Sequence, residues 1–347
     1  MDSALPGPFI SLQLKHIGDF LMTLPALGFL KQKQPGQKTG LVLTPKIAEL
    51  ARGHPWVDEI FVHDRNRGLP ALWELARDLR ASDYRSALIF DGHTRSIVGA
   101  ALGGLKNRAG AGGLYPPGGW SWLYTRDFEI RDEAWPLESQ AYRGQKLAAA
   151  ALGLPPGPAL RPPPPPFSAD DSAKARELIS ALPGRGPLIG LTLAGLQPEK
   201  SWPLTNFVEL CRRLWTASDA RLFVTGGPDE SSLAQALALA AEVPVADLCG
   251  HTSLRQLLAL ADLSDLFITI DTGTSHLVAL TETPLISLFI WTSPAQWPPQ
   301  SPLARILCYD WALKRFGLKP EEGPWKSAPV ITPEMVFNEA AEIIGRG

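Results

Sequence analysis

The sequence predicts an α/β protein built from two doubly wound, Rossmann-like domains that face each other across a cleft. Short apolar runs alternate with segments of helical periodicity in both halves of the chain, which is typical of parallel sheets covered by helices on both faces. A stretch rich in proline interrupts this rhythm at residues 155–167. With 347 residues, the chain is long enough for two domains that each bury a core.

Composition narrows the class of protein. Hydrophobic residues make up 45% of the chain and charged residues 20%, a balance typical of globular proteins and not of disordered or fibrous ones. The formal net charge of -2 indicates that nucleic acid is not a partner. Basic residues slightly outnumber acidic ones before residue 160, and this weak excess would suit an anionic or membrane-borne substrate.

Cysteine usage and the N-terminal sequence indicate the cellular compartment of the protein. Cys211, Cys249 and Cys308 are far apart and odd in number, which disfavours a disulfide framework and a zinc site of the CxxC type. Residues 1–6 lack the basic and apolar regions of a secretory signal, and no apolar run reaches the roughly 18 residues that a membrane helix needs. We therefore expect a cytoplasmic protein, for which any contact with a membrane would be peripheral.

The first half contains four runs that predict strands and four segments that predict helices. The strands are expected at 9–14, 40–44, 59–63 and 86–91, and the helices at 20–31, 47–52, 70–81 and 142–152. Residues 15–19 are expected to form a tight turn, and Pro25 marks a helix start or a kink. Residues 103–125 are rich in Gly, Trp, Tyr and Pro without a period, so we expect an ordered loop there.

The rhythm resumes after the proline-rich stretch. Strands are expected at 188–193, 221–225, 245–248, 266–270 and finally 285–289, with helices at 169–182, 204–216, 231–242, 253–261 and 332–344. The predicted organisation is an N-terminal domain, a semi-rigid extended linker, a C-terminal domain and a final helix, at residues 1–154, 155–167, 168–330 and 331–347. A cleft is expected between the carboxyl ends of the two sets of strands.

One segment joins a strand, a small polar loop and a helix. The apolar strand that ends at Ile270 runs into Asp271 and the small residues 272–275, before an apolar helix. Backbone N–H groups, hydroxyls and the positive end of a helix dipole could converge there on a phosphate. Asp271 or Thr272 could instead simply cap the helix, and the segment alone favours neither interpretation.

Four blocks stand in order along the chain: His-Ile-Gly-Asp at 16–19 before Thr-Leu-Pro-Ala-Leu at 23–27, Glu-Lys-Ser-Trp-Pro at 199–203, Thr-Gly-Gly-Pro-Asp-Glu at 225–230, and Asp-Thr-Gly-Thr-Ser-His-Leu at 271–277. By these blocks the chain resembles glycosyltransferase family 9, the heptosyltransferases of the lipopolysaccharide inner core, over residues 9–345. The resemblance implies a GT-B fold, in which the N-terminal domain binds the acceptor and the C-terminal domain binds the donor.

The resemblance also implies a reaction. The enzyme would transfer heptose or a related sugar from a nucleoside diphosphate donor, usually ADP-heptose, with inversion and without a metal ion or another cofactor. The acceptor would be a lipopolysaccharide-core or other lipid-linked saccharide at the inner face of the cytoplasmic membrane. Two alternatives stay open, namely a sugar-nucleotide epimerase or hydrolase of the same fold and a non-catalytic nucleotide-binding module. We expect a monomer.

The resemblance assigns catalytic roles to Asp19 and Lys200. Asp19 would take the proton from the acceptor hydroxyl as that oxygen attacks the anomeric carbon, and Gly18 before it would contact the donor. The position of Asp19 would equally suit a helix cap. Lys200 would contact the donor phosphates and stabilise the charge that builds up on the leaving diphosphate, although a solvated surface lysine is the plain alternative.

The remaining donor contacts are also carried over from the family. Thr272, Gly273 and Thr274 would hold the diphosphate, with Asp271 and His276 at the edges of the loop, although His276 could also be a packing residue. Glu230 would bind the ribose, a role that the neighbouring Asp229 could share, and the base would lie near the backbone of Leu248, Cys249 and Gly250.

The chain departs from the family pattern before the lysine. Many relatives carry hydroxyl residues or His-Pro-Gly there, where this chain has Leu-Ala-Gly-Leu-Gln at 193–197. Only the backbone N–H of Gly195 is expected to meet the donor at this point, which leaves the identity of the donor open. Arg95, Arg108 and Arg126 are the candidates for binding anionic groups of the acceptor, and each could also be an ordinary surface arginine.

Overall fold

A computed structural model of the chain describes residues 4–111, 120–195 and 197–345. The chain divides into two units, Met1–Pro166 and Phe167–Gly347, and each unit contains its own parallel sheet. The predicted α/β class with two Rossmann-like domains is confirmed. No helix in the described part of the chain is long and apolar enough to cross a membrane.

The first unit has six parallel strands, in the order β3-β2-β1-β4-β5-β6. The strands are β1 Phe9–Leu12, β2 Thr39–Leu43, β3 Glu59–Val62, β4 Ser86–Ile89, β5 Asn107–Ala111 and β6 Arg126–Phe128. The helices are α1 Ile17–Lys33, α2 Pro45–Ala51, α3 Leu69–Ala81, α4 Thr94–Leu102 and α5 Gln140–Ala151. The chain runs outwards from β1 to β3 and returns to β4, so the strand order reverses between β1 and β4.

Pro25 neither begins nor ends a helix, contrary to one sequence expectation. Helix α1 starts at Ile17 and continues through Pro25 to Lys33. A proline inside a helix costs about 3 kcal/mol, but every residue from Phe20 to Leu30 is buried. Burial of this nearly all-apolar helix offsets the loss of one backbone hydrogen bond.

The loop expected at residues 103–125 is partly a strand, so that prediction was wrong in part. Residues 107–111 form β5, which pairs with β4 and β6, and residues 112–119 lie outside the described residues. The sequence Asn-Arg-Ala-Gly-Ala of β5 has no branched apolar residue to indicate a strand. Its last three residues are nevertheless buried, because small side chains fit beneath the covering helices.

The proline-rich segment lies along the first unit. The side-chain amide of Gln145, on α5, donates to the carbonyls of Pro156 and Pro158, both at 2.7 Å, and its oxygen accepts from the N–H of Leu160 at 3.0 Å. The ring of His54 lies 3.1 Å from the carbonyl oxygen of Pro163. These contacts fix the extended chain up to the end of the first unit.

The second unit has seven parallel strands, in the order β13-β12-β11-β10-β7-β8-β9. The strands are β7 Leu188–Thr192, β8 Arg221–Val224, β9 Val245–Asp247, β10 Leu266–Ile270, β11 Leu285–Phe289, β12 Ala304–Tyr309 and β13 Trp325–Ala328. The helices are α6 Ala169–Ser180, α7 Leu204–Ser218, α8 Ser231–Ala241, α9 Leu254–Asp262, α10 Gly273–Val278, α11 Asp310–Arg315 and α12 Pro333–Ile344. The strand order reverses between β7 and β10.

The expectation that β11 ends the sheet was wrong, because β12 and β13 extend it by two strands. The apolar pattern of β12 is interrupted by Arg305, whose guanidinium pairs with Glu339 of α12 at 2.6 Å. The final helix packs in turn against the core of this unit through Val336 and Ala340. A charge inside a strand therefore concealed the strand from sequence analysis.

Close packing and buried thiols characterise the core of the second unit. The position of Gly190 on β7 admits no Cβ, because the ring of Phe267 on β10 fills that space. The thiols of Cys211, Cys249 and Cys308 are free and buried, and burial is the main reason that their pKa values rise to about 12.

Candidate active site

The reversal of strand order between β7 and β10 is where an open parallel sheet binds its ligands. Lys200, which follows β7, and Asp271, which follows β10, meet there with the Lys200 Nζ 2.9 Å from the Asp271 Oδ2. The hydroxyl of Thr292 donates to the same carboxylate oxygen. The Asp271 side chain is 5% exposed and that of Lys200 is 21% exposed, so the lysine retains access to solvent.

A buried tryptophan anchors the segment that carries Lys200. Residues Pro198–Lys200 form a 3₁₀ turn, and two residues later Trp202 is buried in the core. Its indole Nε1 donates to the carbonyl of Ile331 at 3.0 Å, and its ring meets that of Phe207 edge to face at 4.8 Å. The turn that carries Lys200 is therefore held in a fixed position against the core.

The loop after β10 is held by Asp271 and leads into the short helix α10. Asp271 extends the sheet through its N–H, which donates to the carbonyl of Leu288 at 3.1 Å. His276 lies against it, with its Nε2 3.7 Å from the Asp271 Oδ1. Thr272 is the residue that precedes α10, but no side chain caps this helix. The expected side-chain cap by Thr272 is therefore not formed, and the first N–H groups of α10 have no intrahelical partner.

Thr272 and Gly195 bring the loops after β7 and β10 into contact. A Cβ on Gly195 would lie 2.8 Å from the Thr272 Cγ2, so only glycine fits without displacement. The Thr272 Oγ1 is buried and has no hydrogen-bond partner within the described ranges. Leu196, in the segment 193–197 that departs from the family pattern, lies outside those ranges.

Glu230 and Leu248 lie on the other side of β7, at the ends of β8 and β9. Glu230 ends the 3₁₀ turn Pro228–Glu230, and its carboxylate occupies the space that a Cβ on Gly226 would need. Leu248 is buried, and its N–H donates to the carbonyl of Val224 at 2.9 Å. Gly250 has a positive φ of 75° and packs on Pro228, which closes this pair of loops.

Asp19 lies at the corresponding reversal of strand order in the first unit, between β1 and β4. It is the third residue of α1, and its Oδ2 accepts the N–H of His16 at 3.2 Å, so the predicted cap exists. Its Oδ1 accepts no hydrogen bond from the residues that the structure describes. The buried Gly18 precedes Asp19. The backbone carbonyl of Asp19 accepts a hydrogen bond from the Thr23 hydroxyl at 2.9 Å. One oxygen therefore holds the turn while the other is available.

Asp91 lies at the same sheet edge as Asp19, and sequence analysis did not single it out. It follows β4 and is 3% exposed. Its Oδ2 accepts the Leu14 N–H and the Ser96 hydroxyl, both at 2.7 Å, and its Oδ1 accepts the His93 N–H at 2.8 Å. Burial raises its pKa. An aspartate directly after a buried strand was the available signal, whereas nothing in the sequence indicates that Thr292 would reach Asp271.

The three arginines predicted to bind the acceptor lie in different places. Arg95 is in the first turn of α4, at the same sheet edge as Asp19, and donates to the carbonyl of Arg65. Arg108 binds the carbonyls of Leu123 at 2.7 Å and Leu105 at 2.5 Å near the start of β5, and burial lowers its pKa. Arg126 begins β6. The structure therefore brings Arg95, but not Arg108, to the edge that carries Asp19.

Comparison with known proteins agrees with this architecture. The family model of glycosyltransferase family 9 (heptosyltransferase) matches residues 72–326. The chain is 25% identical over 344 residues to lipopolysaccharide heptosyltransferase 2 of Salmonella typhimurium LT2. This alignment covers 94% of this chain and 96% of that protein.

Two solved structures share the fold over nearly the full length. A family 9 glycosyl transferase from Veillonella parvula has a TM-score of 0.80 at 21% identity and covers 98% of this chain and 97% of its own. The ADP-heptose LPS heptosyltransferase II of Escherichia coli has a TM-score of 0.77 at 20% identity. The match covers 98% of this chain and 99% of that one.

Two Rossmann-like units with these neighbours define the class of fold, which is GT-B. The family follows from the matched residues. The chain belongs to glycosyltransferase family 9, the heptosyltransferase family.

Proposed function

We propose that this enzyme transfers heptose or a related sugar from a nucleoside diphosphate, most simply ADP-heptose, to a lipopolysaccharide-core or other lipid-linked saccharide. The observation that carries the proposal is the pairing of Lys200 with Asp271 beside the open first turn of α10. A cation and unpaired N–H groups at one strand-order reversal suit a diphosphate. The names of two similar proteins supply the sugar and the acceptor.

The donor would lie along the carboxyl edge of the second sheet. The diphosphate is assigned to Lys200 and to the N–H groups of Gly273 and Thr274, which together balance the charge that the leaving group gains. The ribose is assigned to Glu230 and the base to the backbone near Leu248. Asp271 is assigned to position Lys200 through their ion pair, and His276 is assigned to position Asp271. In this scheme neither a metal nor another cofactor takes part.

Asp19 is assigned the role of general base. As the acceptor oxygen attacks the anomeric carbon, its proton passes to the Asp19 Oδ1 and the bond from that carbon to the diphosphate breaks. The acceptor oxygen attacks from the face opposite the diphosphate, which leaves with the electron pair, so the configuration at the anomeric carbon inverts. The hydrogen bond from His16 to the other carboxylate oxygen keeps the base in position.

Arg95 is assigned to the acceptor, because its α4 position lies at the same edge as Asp19 and a guanidinium suits phosphate or carboxylate groups. Arg126 begins the parallel strand β6, away from that edge, and is not assigned to the acceptor. An acceptor carried on a lipid would bring this enzyme to the inner face of the cytoplasmic membrane, where it would bind peripherally. The enzyme is proposed to be a monomer.

Replacement of Asp19 by asparagine tests the proposed base. We expect Asp19→Asn to lower transfer by about 10²-fold to 10⁴-fold while ADP binding in calorimetry stays unchanged, because the residue is assigned to the acceptor step alone. Asp78→Asn is the matched control, because Asp78 is half-exposed and lies on α3, a helix that carries none of the assigned residues. Transfer at the wild-type rate would rule Asp19 out as the base, and donor turnover without an acceptor would favour a hydrolase.

The donor is tested by a thermal-shift screen with ADP-, GDP- and UDP-sugars, since a ligand that binds the folded state raises its stability. We expect ADP-sugars to give the largest shift and Lys200→Ala to abolish most of it. A chain that responds to none of these nucleotides would contradict the proposed function.

A further inference from the structure

Two tryptophans and an arginine form a cluster beside the donor site, here called the Trp–Arg shelf: Trp291, Trp311 and Arg315. Trp291 follows β11 and directly precedes Thr292, the residue that binds Asp271. The guanidinium of Arg315 lies 4.0 Å from the centre of the Trp291 ring. The ring of Trp311 meets that of Trp291 at 5.1 Å in an edge-to-face arrangement.

The shelf is accessible and its charge is not neutralised. Trp311 is 38% exposed and Arg315 is exposed. Within the described ranges, the Arg315 guanidinium makes no ion pair and donates no hydrogen bond; its contacts are with the rings of Trp291 and Phe316. Stacking fixes the plane of a guanidinium but leaves its N–H groups free at the edges.

The strand order places the shelf on the sugar side of the donor site. Along the carboxyl edge, β8 and β9 carry the proposed base and ribose contacts, and β7 and β10 carry the diphosphate contacts. The next strands in the same direction are β11 and β12. Trp291 follows β11, and α11, with Trp311 and Arg315, follows β12. A donor that spans this edge would therefore point its sugar toward the shelf.

We propose that the Trp–Arg shelf is a subsite for a saccharide that bears a phosphate or carboxylate group, a ligand distinct from the nucleotide. This inference rests on the proposed function for the direction of the donor. Arg315 offers paired N–H donors that match the two oxygens of such an anion. The broad apolar face of an indole suits the C–H face of a sugar ring.

Glucose 6-phosphate is the probe, measured by ligand-observed NMR on the full chain with ADP present to fill the diphosphate site. We expect it to bind more tightly than glucose or inorganic phosphate alone. Arg315→Gln should weaken its binding by about tenfold and Arg315→Lys by less, since lysine keeps the charge but not the planar fork. Trp311→Leu should weaken binding of the sugar phosphate while leaving phosphate binding unchanged.

The exposed Arg176 on α6 provides the control, because Arg176→Gln makes the same change in charge away from any aromatic ring. Equal affinity of wild type and Arg315→Gln would overturn the proposal, as would inorganic phosphate that binds as tightly as glucose 6-phosphate. ADP binding is measured first in every variant. If ADP itself fails to bind, the proposed function fails, and the probe measured without ADP still decides whether the shelf is a site.

The source of the anionic saccharide is settled by replacing ADP with ADP-glucose. If the donor sugar occupies the shelf, ADP-glucose displaces glucose 6-phosphate. If the shelf receives the acceptor, both bind together. The first result would overturn the proposal of a ligand distinct from the nucleotide, and the second supports it.

Discussion

At the scale of single residues, the hydroxyl of Thr292 is a sharp test of the second-unit site. It donates to the carboxylate oxygen of Asp271 that also accepts Lys200. Thr292→Val keeps the shape but removes the donor, so we expect a loss of about 1 kcal/mol, or roughly fivefold, in ADP affinity measured by calorimetry. Thr292→Ser should restore the wild-type value. A valine variant with unchanged affinity would show that Lys200 alone orients Asp271.

Buried histidines predict how stability depends on pH. Burial lowers the pKa of His54 and of His63, so the folded state resists a proton that the unfolded chain accepts near pH 6.5. As pH falls below about 6.5, the unfolded state binds more protons and the free energy of unfolding decreases. We expect Tm to fall between about pH 7.5 and 5.5, and His63→Gln to flatten that slope. An unchanged slope in this variant would show that His63 contributes nothing to it.

Individual residues also show where prediction from sequence stops. Asp19, Lys200 and Asp271 were predicted because they stand in blocks that resemble those of glycosyltransferase family 9. Thr292 comes 21 residues after Asp271, and its contact depends on the packing of β11 beside β10. Arg108 looked like a ligand-binding residue, but its charge gives no hint that two backbone carbonyls bind it. A side chain's neighbours follow from the tertiary structure and not from local pattern.

At the scale of elements, the turn after β8 tests the ribose assignment. A methyl group at Gly226 would collide with the Glu230 carboxylate. We expect Gly226→Ala to reduce ADP affinity several-fold while the free energy of unfolding changes by less than about 1 kcal/mol, because a flexible carboxylate can move aside. Calorimetry and denaturant unfolding measure the two effects.

Gly227→Ala is the control for this experiment, since apart from its chain neighbours no heavy atom of the described residues would lie within 4 Å of its Cβ. The two glycines are neighbours on the same turn, so a loss of affinity in both variants would point to the backbone of the turn and not to Glu230. An unaffected Gly226→Ala variant would remove Glu230 from the nucleotide site.

Most elements were predictable from periodicity because their apolar residues repeat at strand or helix spacing. The failures share one cause, which is that tertiary contacts override local sequence. Residues 107–111 form a strand from small and polar residues under the cover of neighbouring elements. In β12 an ion pair with α12 satisfies the charge of Arg305. Helix α1 passes through Pro25 because its surroundings bury it.

At the scale of the whole molecule, each unit contains a complete sheet and its own apolar core. All strands of the second sheet come from Phe167–Gly347. We therefore expect residues 167–347, expressed alone, to fold and to bind ADP with an affinity close to that of the full chain. Circular dichroism and calorimetry test this. A fragment that folds but does not bind ADP would place part of the nucleotide site outside it.

Alkylation of the three buried thiols measures how often the second unit opens, independently of the first. The chain has three cysteines, all after residue 166, and a raised pKa together with burial suppresses the reactive thiolate. An alkylating reagent can therefore modify them only when the second unit opens. The rate of modification reports the opening of one half of the molecule while the other half is silent, and a bound nucleotide would slow it in proportion to its occupancy.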